Sequence, residues 1–223
     1  MAPTGAKSIH CPVISNQGGI GGPETSNGEK MLAATQPKPG LIPSPVLAIL
    51  IFIGTEIMFF AGIISMHMVI RAGETIWPPF GQPRLPVEAT AFNTFMLLLS
   101  GIMVYKAGKD YASPFLKNRA HKFLTVGMGL GTFFVLFQGY EWIQLIGFGL
   151  TVKSSLFGAI FYVLIGAHAL HVVAGLVTLV YVWVQSHPDK KPGITPDGFL
   201  AGRIFWYFVV GIWPLLYYLV YLM

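Results

Sequence analysis

Five apolar segments, each long enough to cross a bilayer, constrain this chain more than any other feature. They run from residues 46–70, 87–105, 123–146, 156–184 and 199–222. A spanning helix needs about 20 mostly apolar residues, and a spanning strand only about half that number. In hydrocarbon every backbone polar group must be satisfied internally, which leaves helices for segments of this length. The expected fold is therefore all-α, an integral membrane bundle of five transmembrane helices. Composition agrees, since only 10% of residues are charged where a soluble domain carries about 25%. The fourth segment would reach roughly 43 Å as one helix at about 1.5 Å per residue, so it must tilt or project beyond the hydrocarbon.

Residues 1–44 form the other expected unit. They are rich in Gly, Pro, Ser, Asn and Thr, as in GGIGGPETSNG, and contain no apolar run of signal-peptide type. This composition predicts a flexible tail ahead of a membrane domain spanning 45–223. The only cysteine, Cys11, lies in the tail. A lone cysteine makes no internal disulfide, no Cys-rich metal cluster and no two-cysteine copper centre within the chain.

The net charge of +5 comes from loops and tail, and its distribution is lopsided. Lys7, Lys30, Lys38, Lys106, Lys109, Lys117, Arg119, Lys122, Lys190, Lys191 and Arg203 fall on one side, against Arg71, Arg84 and Lys153 on the other. Basic loops stay cytoplasmic. The N-terminus is thus expected in the cytoplasm and the C-terminus outside, and the charge reports orientation rather than nucleic-acid binding.

Small residues recur at helical spacing. Gly127, Gly129 and Gly131 cluster in the third segment, with Gly127 and Gly131 four apart on one face. Ala167, His171 and Gly175 repeat every four residues in the fourth, and Ala61, Gly62 and Ser65 do something similar in the first. Such residues let helix backbones approach closely where lipid is as apolar as protein. Pro214 should disturb the fifth helix locally.

Ionisable groups in hydrocarbon are costly and need a reason. Glu56 lies near the middle of the first segment, and His67 near its far end, where it could simply reach the interface. Gln138 and Glu141 share a face of the third, and His168 and His171 share a face of the fourth. No segment carries the Glu-x-x-His pair of a di-iron bundle, and two histidines on one helix cannot ligate both sides of one haem. A zinc or copper site from His168, His171 and Glu141 is geometrically conceivable. Imidazoles hydrogen-bonded to a neighbouring helix are the commoner outcome. Glu56 could relay protons, or stay protonated and donate one hydrogen bond. Without further acids along its helix, a structural or protective carboxyl is the favoured reading. No phosphate loop and no nucleophile constellation is present.

These residues resemble a family, subunit III of haem–copper terminal oxidases of the cytochrome c oxidase type. FIGTEIMFFAG at Phe52–Gly62 is similar to the family's first retained helix, with Glu56 on its membrane-buried glutamate. WPPFGQPRLPVEATAFNTFMLLLSG at Trp77–Gly101 resembles the following loop and helix, the motif falling on Trp77, Pro78, Pro79, Pro86, Glu88, Asn93 and Thr94. QGYEW places Gln138 and Glu141 on the next helix's polar pair. LTVKSSLFGAIFYVLIGAHALHVVAG covers the signature around Gly158, Gly166, His168, His171 and Gly175, and FWYFVVGIW at Phe205–Trp213 resembles the last helix. There are departures. The first two spans of the seven-span form have no counterpart, so the likeness is to the five-span bacterial form. Those two spans make one wall of a lipid-holding cleft, which must here be reduced or completed by another chain. Tyr207 and Val210 stand where the family has His and Asp, and Ser154 replaces an acid.

The resemblance implies a bundle with no catalytic centre and no cofactor of its own, with phospholipid a possible ligand. Haem and copper are expected in the partner catalytic subunit. Subunit I is the implied main contact, with subunit II and other subunits nearby, in a bacterial cytoplasmic membrane. The implied role is to stabilise the catalytic subunit and support proton uptake during oxygen reduction. Two other readings remain: an accessory subunit of a nitric oxide reductase, and a self-contained membrane haem or metal redox protein.

Overall fold

A computed structural model describes residues 43–73, 86–153, 155–187 and 193–223. Residues 1–42 of the expected tail, Trp77, Pro78 and Pro79, Ser154, and Lys190 and Lys191 lie outside the described residues, and Ser44, placed in the tail, instead begins the first helix. Helices α1 (Ser44–Gly73), α2 (Val87–Tyr111), α3 (Lys117–Gly147), α4 (Leu156–Gln185) and α5 (Pro196–Tyr217) follow in order. A 3-10 turn at Pro114–Leu116 joins α2 to α3, and a π-helical turn at Tyr218–Leu222 extends α5. All five helices are long and apolar enough to cross a membrane.

Several helices outrun their apolar segments. α2 continues through Lys106, Lys109 and Asp110 to Tyr111, and α3 already begins at Lys117. Lysine is a good helix former, and a helix continues into water until a cap or turn stops it. The stops are local. Ser155 Oγ accepts from the Gly158 N–H at 3.0 Å and starts α4. Thr195 Oγ1 accepts from the Gly198 N–H at 3.1 Å and Pro196 fills the first position of α5. At the end of α3, Gly149 adopts φ 91°, so that its N–H reaches Ile146 O while the Leu150 N–H reaches Leu145 O. This is a Schellman closure, and the left-handed position favours glycine.

α5 is the central helix, touching α1, α2 and α4, while α2 and α3 pack closely on each other. The core centres on Trp206, which is fully buried. A Cβ added at Gly131 of α3 or at Gly175 of α4 would come within 2.8 Å of its ring. Two glycines on two helices thus create the slot for one indole. Its Nε1–H donates to Ser100 Oγ at 3.2 Å, and Ser100 Oγ donates to Gly127 O at 2.8 Å. Gly127 in turn leaves room for Val104. Gly129 faces open space, and Gly166 has nothing closer than Trp142 at 3.9 Å.

α1 is peripheral. Only Val46, Phe60 and His67 are buried on it, and Gly62 has no neighbour within 4 Å. The small residues of α1 therefore do not seat another helix of this chain.

Candidate functional site

Two clusters of polar side chains lie between the helices. The first joins α1 to α4. His171 Nε2 lies 2.8 Å from Glu56 Oε2, and His171 Nδ1 donates to the Ala167 carbonyl at 2.7 Å. A carbonyl only accepts, so Nδ1 carries a hydrogen. A hydrogen bond at Nε2 then needs a second proton, held either by the imidazole or by the carboxyl. In one form a neutral acid donates to a neutral imidazole, and in the other an imidazolium faces a carboxylate. Both forms are net neutral, which suits a pair with side chains only 16% and 13% exposed inside a membrane. Phe60 sets its ring edge-on to His171 at 5.1 Å and closes the contact.

The second group lies between α2, α3 and the end of α5. Gln138 Nε2 donates to Glu141 Oε2 at 2.9 Å. Thr90 Oγ1 lies 3.1 Å from the same oxygen and 2.9 Å from Pro86 O. Its single hydrogen serves one of them at a time. Asn93 Nδ2 donates to Phe134 O at 3.2 Å and approaches Gln138 Oε1 at 3.4 Å, while Tyr221 OH lies 3.4 Å from Gln138 Nε2. Beside this group, Trp213 Nε1 donates to Thr94 Oγ1 at 2.8 Å, and Thr94 Oγ1 to Thr90 O at 2.7 Å.

His168 and His171 do not share a partner. His171 meets Glu56 and His168 does not, because neighbouring residues on one face still diverge toward different helices. His168 is fully buried and stacks on Trp213 at 4.8 Å, with Phe134 edge-on at 6.3 Å. With Gln138, Trp142 and Ile165 it lines a cavity of about 110 Å³ whose surface is nearly all apolar. His67 is buried, at 2% exposure. Glu88 is exposed in the first turn of α2, where an acid complements the helix dipole.

His168, His171 and Glu141 therefore do not converge, so the conceivable zinc or copper site is not assembled. Among the described residues, no group of three or more His, Cys, Asp or Glu is placed to hold a metal. Sequence reasoning missed Thr90, Tyr221 and the Trp206 slot. The signal was present in part, since a Trp N–H or Tyr O–H inside a span needs a partner.

Together these features define a multi-pass helical membrane subunit whose polar side chains tie its own helices together. The family model described as cytochrome c oxidase subunit III matches residues 40–223. The chain belongs to the cytochrome c oxidase subunit III family, and it is a non-catalytic subunit of an oxidase complex. It is similar to the probable cytochrome c oxidase subunit 3 of Nocardia farcinica, at 30% identity over 74% of this chain and 80% of the relative. The corresponding protein of Mycobacterium leprae is 28% identical over 77% and 84%. Cytochrome c oxidase subunit 3 of Synechocystis sp. is 30% identical over 80% and 75%. These names favour the oxidase over the nitric oxide reductase reading.

Proposed function

We propose that this chain braces subunit I of a bacterial haem–copper oxidase, with subunit II nearby, and supports its proton uptake during oxygen reduction. Electron entry and oxygen chemistry belong to haem and copper in the partner subunits. The observation that carries this reading is the internal pairing of the buried polar groups, with Glu56 on His171 and Glu141 on Gln138. Such groups stiffen a bundle by tying its helices to one another. Glu56, paired and largely shielded, acts as a structural or protective carboxyl.

The basic ends of α2 and α3 mark the cytoplasmic side under the positive-inside rule. A groove of about 450 Å³ between α1, α4 and α5, lined by Ile49, Phe52, Tyr181 and Gly202 among others, has room for a lipid chain and supports phospholipid as a ligand. Purification in mild detergent, with every co-purifying chain and pigment identified, tests the proposal. Haem and copper should travel with a larger partner and none with this chain. Stoichiometric haem on this chain would overturn it.

A further inference from the structure

A second pair of histidines lies outside both polar groups. His121 is in the second turn of α3, and His187 follows the last turn of α4. Their ring centres are 5.3 Å apart with planes at 86°. His121 is held from behind by Trp183, stacked on it at 4.8 Å. Trp183 is itself pinned, its Nε1–H donating to Thr125 Oγ1 at 2.8 Å, while Thr125 Oγ1 donates to the His121 carbonyl at 3.0 Å. Nδ1 of His121 is buried, which leaves Nε2 as the nitrogen turned outward. His187 is exposed, just past the helix end.

Imidazole suits zinc, copper and nickel. Two imidazoles on one tetrahedral zinc, with Zn–N near 2.0–2.1 Å, put their ring centres about 5 Å apart. We propose that His121 and His187 form a two-histidine site for a divalent transition-metal ion of the zinc type, bridging the start of α3 to the end of α4. Water fills the other coordination positions. Lys117, Arg119 and Lys122 stand on the same turns of α3. Arg119 is partly neutralised by Asp110 at 3.2 Å. The remaining positive charge and the ligand count make the ion exchangeable rather than a permanent structural zinc. The ion acts as a clamp between helix ends.

The test uses the assembled complex, metal-stripped at its exchangeable sites, with zinc ions as the probe. Histidines are acylated with diethyl pyrocarbonate and the peptides of this chain are read by mass spectrometry. Zinc at ten times its Kd should slow labelling of both His121 and His187 by about tenfold. In H187A the protection of His121 should disappear, and in H121A that of His187. Unchanged protection at one histidine after loss of the other would overturn the site, as would no protection at either. If His121 does not label without metal, zinc bound at equilibrium dialysis against a fixed free zinc concentration decides. Wild type must hold more than either variant, and equal contents refute the proposal.

Discussion

Glu56 Oε2 sits 2.8 Å from His171 Nε2, across the contact between α1 and α4. Since the Ala167 carbonyl occupies the other ring nitrogen, the pair contains one obligatory shared proton. Glu56→Gln keeps a donor for Nε2, so assembly should survive while endurance under turnover changes. His171→Leu strands the carboxyl and should weaken attachment of α1 by about 1–3 kcal/mol, the cost of an unsatisfied buried polar group. Limited proteolysis of α1 in the purified complex reads its attachment, and oxidase activity followed over successive turnovers reads the endurance. Loss of assembly in Glu56→Gln would make the carboxyl itself indispensable and contradict this account.

The Trp206 slot predicts a sharp contrast between glycines. Gly131→Ala and Gly175→Ala each bring a Cβ to 2.8 Å from the indole, and overpacking of this kind costs about 1–3 kcal/mol. Gly129→Ala, on the same helix as Gly131 with nothing within 4 Å, should be neutral or slightly stabilising, since alanine is the better helix former. Thermal dissociation of the subunit measures the difference. Equal effects at Gly129 and Gly131 would mean that Trp206 does not fill the slot.

The number and type of helices were legible because hydropathy alone decides what crosses hydrocarbon. Helix ends were less so. Lys106 and Lys109 leave the apolar segment without leaving the helix, so hydropathy marks the membrane and not the backbone. The polar residues were legible as residues but not as pairs. His171 and Glu56 are 115 positions apart, and nothing in either helix's pattern says which helices are neighbours. Gly127 and Gly131, four apart, read as one face in the sequence, and both meet a partner while Gly129 meets none. Which helix each meets depends on how the spans are rotated, which all-round apolar segments do not encode.

Thr90, Gln138 and Glu141 form one unit and should behave as one. Interhelical hydrogen bonds in membranes contribute about 0.6 kcal/mol on average, and up to about 1.7. Thr90→Val should cost that much in a wild-type background. It should cost clearly less once Glu141→Leu has removed the shared acceptor, since residues in one network are not additive. A double-mutant cycle on subunit dissociation reads the coupling. Strict additivity would show that the 3.1 Å contact carries no energy.

His168 contributes its ring face rather than its nitrogens. It stacks on Trp213 at 4.8 Å, and neither nitrogen has a hydrogen-bond partner among the described residues. An aromatic of similar width should therefore replace it. His168→Phe keeps the stacked contact, worth about 0.5–1.5 kcal/mol for an aromatic pair, and should hold the subunit in the complex as wild type does. His168→Leu forfeits the stack and should loosen it. Haem and copper per assembled complex should stay constant in both, because His168 ligates nothing. The decisive comparison is Phe against Leu. If both variants fail equally, the imidazole nitrogens have a role that stacking cannot supply, and the reading of His168 as a packed ring is wrong.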